Sequence, residues 1–180
     1  YKRQHELCVV TGIIIFSSVM LRKQISAETA LQRLEALCAR AEHCRHELSE
    51  KLRRWGVSSS DAGKILESLE KRKFFSDSRF AEAYARDKLL YSGWGRMKIV
   101  IGLRAKRVGT DEIDNAIEAL DPEEYEQVAI RCLRSKAHSI KEGYTYEGRT
   151  KLYRAGLQRG FESQLVAGIV KDSATWPQQD

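Results

Sequence analysis

Proline and aromatic side chains are scarce. The 180 residues hold two prolines and 12 glycines, and Phe, Trp and Tyr make up 8%. That composition excludes a collagen-like chain, a Pro-rich linker protein and a turn-dense β-sandwich. The four cysteines, Cys8, Cys38, Cys44 and Cys132, are few for this length and show no close, even spacing. A disulfide framework is not indicated, and reduced cytoplasmic thiols are expected. No G-x-x-x-x-G-K-[ST] phosphate loop occurs, nor a G-x-G-x-x-G after a strand. The apolar run Cys8 to Met20 is short of the roughly 20 residues that span a bilayer. Charge of one sign is also modest. The net +6 is half contributed by residues 1–25, where Lys2, Arg3, Arg22 and Lys23 face only Glu6. A histone-like coat for DNA is therefore excluded, and any polyanion contact must come from local patches.

Helix formers dominate what is there: Leu, Ala, Glu, Lys and Arg. Leu31, Leu34, Leu37, Cys38 and Ala41 recur at helical spacing, predicting a helix over about 27–40. Cys44, Leu48, Leu52 and Trp55 form a second stripe, ended by Gly56. Ser58 to Asp61 supply capping side chains for a third helix with Ile65, Leu66 and Leu69. The cycle then repeats. Ser76 and Asp77 cap a helix bearing Phe80, Tyr84 and Ala85, and Gly93 and Gly95 break it. Ile99 and Leu103 mark the next, and Thr110 caps a third with Ile113 and Ile117. Asp121-Pro122-Glu123-Glu124 is a strong helix start. It leads to Val128 and Leu133, then Leu152, Tyr153 and Leu157, then Leu165 to Val170. The turns Leu52 to Val57, Leu103 to Val108 and Leu157 to Phe161 resemble one another at a period of about 50 residues. The expected fold is all-α: an elongated tandem array of three three-helix repeats, over 26–75, 76–121 and 122–172, with a frayed tail over 173–180. Residues 1–25 form an N-terminal extension with two readings. One is upstream read-through before a natural start at Met20; the other is an extra strand or helix.

Four stretches, ordered across residues 26–172, resemble the RecX family, regulators of the RecA recombinase. Arg45-His46-Glu47-Leu48-Ser49-Glu50-Lys51-Leu52 is similar to its E-L-x-x-K-L signature. Phe75-Ser76-Asp77-Ser78-Arg79-Phe80-Ala81 resembles D-D-x-R-F-A. Gly93-Trp94-Gly95 with Ile99 and Leu103 resembles G-x-G-x-x-x-I-x-x-x-L, and Arg159-Gly160-Phe161 resembles R-G-F/Y. Three departures stand out. Ser76 replaces the first acid of the D-D pair, Arg107 stands where Gly is usual, and Gly156 stands where Leu is common. A glycine inside a helix should cost roughly 1 kcal/mol relative to alanine. The family's motif residues here, Leu48, Leu52, Asp77, Arg79, Phe80, Gly95, Leu103 and Gly160, are expected to be structural. Asp77 would cap its helix, Phe80 enter the core and Arg79 pair with an acid.

Catalytic signals are absent. Cys38, His43, Cys44 and His46 lie close together, but Cys38 and Cys44, six apart on one helix, would point about 120° from each other. No second Cys/His pair has finger spacing, so neither a metal nor another cofactor is expected. The remaining signal is basic. Arg96, Lys98, Arg104, Lys106 and Arg107 have no acid among them, and neither do Lys71, Arg72 and Lys73. Arg53 and Arg54, and Arg149, Lys151, Arg154 and Arg159, fall at related places. A solvated helix face explains any one cluster; recurrence in successive units suggests a basic stripe. Tyr91 and Trp94 are either partner anchors or core. The resemblance implies a non-enzymatic, cytoplasmic, monomeric regulator. It would bind the RecA filament on single-stranded DNA, and DNA alone only weakly and without sequence preference. Its effect would be to hinder ATP turnover and strand exchange in recombination, DNA repair and the SOS response. A helix-turn-helix-like nucleic-acid-binding regulator is the alternative, opposed by Asp111, Glu112, Asp114 and Glu118 on its recognition helix. A salt-indifferent protein scaffold is a third reading.

Overall fold

The computed structural model describes residues 25–177, so both readings of the N-terminal extension lie outside the described residues. Among those residues the chain is all-α. The helices are α1 (Ala27–Cys38), α2 (Arg45–Arg54), α3 (Ser59–Lys71), α4 (Asp77–Ser92), α5 (Arg96–Ala105), α6 (Thr110–Glu118), α7 (Pro122–Ala137), α8 (Tyr146–Gln158) and α9 (Ser163–Lys171). They pack as triads, α1–α3, α4–α6 and α7–α9, the helical-repeat fold that the periodicity predicts.

Each triad opens on a capped helix. The side chains of Ser26, Ser76 and Asp121 accept from the amides of Thr29, Arg79 and Glu124, covering donors that a helix start leaves open. Two expected caps are different. Gly109, not Thr110, precedes α6, and no side chain caps it. Asp77 is the first residue of α4, one position too late to cap it, and its carboxylate reaches another helix altogether.

The middle helices α2, α5 and α8 end identically. Gly56, Arg107 and Gly160 are left-handed, with φ of 74°, 57° and 88°. The next amides, of Val57, Val108 and Phe161, donate back to the carbonyls of Leu52, Leu103 and Gly156. This six-residue closure needs a positive φ at its corner, and glycine adopts that without steric cost. Arg107 adopts it against the preference of a side-chain-bearing residue.

The turn also corrects the register of the third repeat. Gly156, not Leu157, occupies the place of Leu52 and Leu103, and Leu157 is 40% exposed. Gly156 is more than a weak helix former. A Cβ there would lie 2.6 and 2.8 Å from the two methyls of Val166 on α9. Valine has little rotamer freedom with which to yield. Gly156→Ala is therefore expected to lose about 1–2 kcal/mol by overpacking rather than gain stability from helix propensity, as urea unfolding would report.

Two hydrophobic cores result. Ala30, Leu34, Leu48, Leu52, Ile65, Leu66, Leu69 and Phe75 form the first triad's own. The second runs unbroken from Phe80 and Leu89 through Ile99, Leu103, Tyr125 and Leu133 to Phe161 and Val170. The second and third triads thus share a core, to which the first adds only Cys44 while keeping its own. Within the tail, the described residues 173–177 are docked, not frayed. Trp176 is buried, its indole N–H donates to the Val170 carbonyl at 3.2 Å, and its ring meets Tyr144 edge-on at 5.8 Å.

Candidate functional site

Successive triads meet through one joint, used twice. The residue before the middle helix of one triad sits on the turn that ends the middle helix of the next. In the first joint the Cys44 thiol, preceding α2, donates to the Lys106 carbonyl at 3.7 Å. In the second, the amide of Gly95, preceding α5, donates to the Arg159 carbonyl at 2.8 Å, and the Met97 amide donates to the Gly160 carbonyl at 3.2 Å. Each joint also covers the first amide of its middle helix from the following triad. Asp77 Oδ1 accepts from Arg45 N at 2.7 Å, and the Tyr125 hydroxyl accepts from Arg96 N at 3.0 Å.

Their chemistry differs. The second joint is backbone on backbone. Tyr125 also donates to Glu162 at 2.7 Å, packs edge-on against Phe161 at 5.7 Å and lies 3.9 Å beneath the Arg96 guanidinium, which pairs with Glu162 at 3.1 Å. Burial, reinforced by the bond to Glu162, raises the Tyr125 pKa well above the ordinary tyrosine range. The first joint is ionic. Glu47 on α2 binds Lys106 and also His43, the latter at 2.9 Å. Arg79 pairs with Glu42 at 2.9 Å. The Lys106 ammonium lies over the rings of Phe80 and Tyr84. Burial pushes the Cys44 thiol up.

Acid should loosen the first joint selectively. Burial pulls the Glu47 pKa up, but the hydrogen bonds from Lys106 and His43 outweigh it, leaving the group below its ordinary 4.5. A carboxylate with a lowered folded pKa stabilises fully above its unfolded value, and the contribution is lost as pH falls through the folded value. For Lys106 burial lowers and the bonds to Glu47 raise, for a net rise above 10.5, so its contribution fades only in strong alkali. In hydrogen exchange the Arg45 amide is expected to lose protection as pH drops below 4.5. The Gly95 amide, held by a backbone carbonyl, keeps its protection.

The structure sorts the basic residues singled out by sequence. Lys106, Arg96 and Arg159 belong to joints; Arg159 is half-buried, and its guanidinium points to the Ser92 carbonyl at 3.5 Å. Lys98 lies over the Trp94 ring at 4.7 Å. Arg72 pairs with Glu35 and stacks on Phe74, Arg53 pairs with Glu50, and Lys151 pairs with Glu142 and Glu147. Arg149 covers the Tyr144 ring at 5.0 Å. Arg54, Lys71, Lys73, Arg104, Arg107 and Arg154 are exposed and, among the described residues, pair with no carboxylate. Leu48, Leu52, Phe80, Gly95, Leu103 and Gly160 are buried, whereas Arg79 is exposed. Trp94 packs against the core, while Tyr91 is 85% exposed. Cys38 and Cys44 lie on different elements, at the end of α1 and just before α2, so the single-helix geometry does not apply to them.

Sequence reasoning missed Cys44, Glu47, Tyr125 and Glu162 as joint residues, because partners tens of residues apart leave no local periodicity. It also missed the exposed apolar Met97 (60%) and Ile101 (65%), an i, i+4 pair on the outer face of α5 that was open to inspection. A groove of about 650 Å³ alongside the first joint carries Glu42, Glu82, Asp87, Asp121 and Glu124 with Arg79 and Arg86, a lining that repels phosphate.

Triads joined cap to turn, without any clustered metal-ligand set among the described residues, define a tandem three-helix repeat protein. Comparison with known proteins gives the family. Residues 76–117 match the model of the RecX second three-helix domain. The regulatory protein RecX of Prosthecochloris aestuarii is 31% identical over 148 residues, covering 81% of this chain and 94% of that one. The chain belongs to the RecX family. It is 30% identical to the regulatory protein RecX of Clostridium beijerinckii and 26% identical to that of Clostridium botulinum. These alignments cover 80% and 74% of this chain but 66% and 63% of the relatives, so the chain spans just under two thirds of their length. A crystal structure of RecX from Lactobacillus salivarius superposes with a TM-score of 0.72 at 17% identity, over 82% of this chain and 96% of that one. Another crystal structure of regulatory protein RecX gives 0.72 at 20% identity, over 81% and 72%. Both show the shared fold.

Proposed function

We propose that the chain is a non-enzymatic regulator that binds the RecA filament on single-stranded DNA and slows its ATP turnover and strand exchange in recombination, DNA repair and the SOS response. Family membership supports the regulatory role. The observation that carries the filament reading is the joint used twice. It ties each triad to the next and leaves Arg54, Arg104, Arg107 and Arg154 exposed and, among the described residues, without a carboxylate partner. Weak patches on linked triads gain from effective concentration, so binding would favour a partner whose sites repeat at filament spacing. No membrane is involved in this reading, and no helix among the described residues is long and apolar enough to cross one.

The test is inhibition of the DNA-dependent ATPase of RecA; no effect at concentrations that saturate the filament removes the proposed activity. Arg104→Glu with Arg107→Glu is expected to weaken filament binding by about tenfold or more, most strongly at low salt, without lowering the melting temperature. Unchanged affinity would show that this edge does not face the partner. The helix-turn-helix reading fares worse, because Asp111, Asp114 and Glu118 are exposed on α6.

A further inference from the structure

A shallow groove of about 360 Å³ lies between α8 and α9, lined by Tyr146, Arg149, Thr150, Tyr153, Val170 and Lys171. The first four fall at i, i+3, i+4 and i+7 on α8, hence on one helix face. Tyr146 is 82% exposed, so its ring contributes little to the fold. Tyr153 is half-buried against the core, which holds its ring in place. One wall is fixed from behind: the Tyr144 hydroxyl donates to the Lys171 carbonyl at 2.9 Å, and its ring abuts Trp176.

Two of the cations here have no ion-pair partner among the described residues. The nearby carboxylates are engaged elsewhere, Glu147 and Glu142 by Lys151 and Asp172 by the Ala174 amide. Arg149 and Lys171 pair with no carboxylate among the described residues. An apolar floor, an open aromatic face and flanking cations suit a ligand with both flat rings and phosphates. A duplex hides its base faces by stacking; a single strand presents them. Resting on the filament reading, we propose that this groove takes unstacked bases of single-stranded DNA, with Tyr146 as the stacking platform and Arg149 and Lys171 beside the backbone phosphates.

The experiment uses the full chain without recombinase. Anisotropy compares a fluorescent oligothymidylate with an abasic strand of equal length and equal phosphate number. Base stacking contributes enough that the oligothymidylate is expected to bind about fivefold tighter or more. Tyr146→Ala, at an exposed position that leaves folding intact, removes that preference, and Tyr146→Phe retains it. Equal binding of both strands overturns the proposal, because charge alone would then explain the affinity. So does an unchanged preference in Tyr146→Ala. Loss of filament binding with oligothymidylate binding intact would make the groove a protein contact and also overturn it. If ATPase inhibition fails while the base preference holds, the filament reading falls and the groove stands.

Discussion

Gly95→Ala is expected to destabilise the joined second and third triads by about 3 kcal/mol, the upper range for overpacking, and to lower the melting temperature by about 10 °C. The cause is a backbone that cannot yield. A Cβ on Gly95 would overlap the carbonyl of Gly160 and the amide of Phe161, on the turn whose Arg159 and Gly160 carbonyls accept from the Gly95 and Met97 amides of the preceding triad. Relieving the overlap means separating the turns, which breaks the bonds from the Gly95 and Met97 amides and opens the core under Tyr125 and Phe161. Gly63→Ala is the internal control. Gly63 lies inside α3 with nothing within 4 Å of the position its Cβ would take, so the same substitution should stabilise by up to about 1 kcal/mol. Urea unfolding of both variants decides the matter. An unaltered midpoint for Gly95→Ala would mean that the two turns are not in contact.

Lys106→Glu is expected to release the first triad while leaving the shared core of the others folded. The new carboxylate would face Glu47 at a half-buried site and forfeit the position over Phe80 and Tyr84. Removing one partner of a partly desolvated pair leaves the other charge uncompensated. Cys44 reports the opening, since its thiol is fully buried on the Lys106 carbonyl. In a chain whose other cysteines are serine, its rate of reaction with a thiol reagent should rise by about tenfold or more. Glu47→Lys in the same chain restores an opposite-charge pair and should bring the rate back down. A Cys44 as slow in Lys106→Glu as in the parent would show that the pair does not hold the joint. Freed from its neighbours, the first triad would no longer be tethered to the patches of the other two, and filament affinity should drop with it.

Much of this architecture was legible residue by residue. The caps at Ser58, Ser76 and Asp121, the apolar stripes and the corners at Gly56 and Gly160 are short-range features, and each appears where periodicity and turn chemistry put it. The basic residues were equally visible, but their roles were not. Arg104 and Lys106 are two positions apart in one cationic run, yet one faces solvent and the other ties two triads together. Asp77 stood in a helix-start motif and serves a helix that begins 32 residues earlier.

By itself the sequence determined an all-α chain built in triads, because helix periodicity, capping and turn conformation are local and each repeat carries its own copy. Only the tertiary structure decided that the second and third triads share a core while the first is held by charges, that Gly156 is a packing necessity, and which cations remain free. Those outcomes depend on which atoms from distant repeats come within a few ångströms of each other, and backbone approach and ion pairing at that range leave no period in the chain.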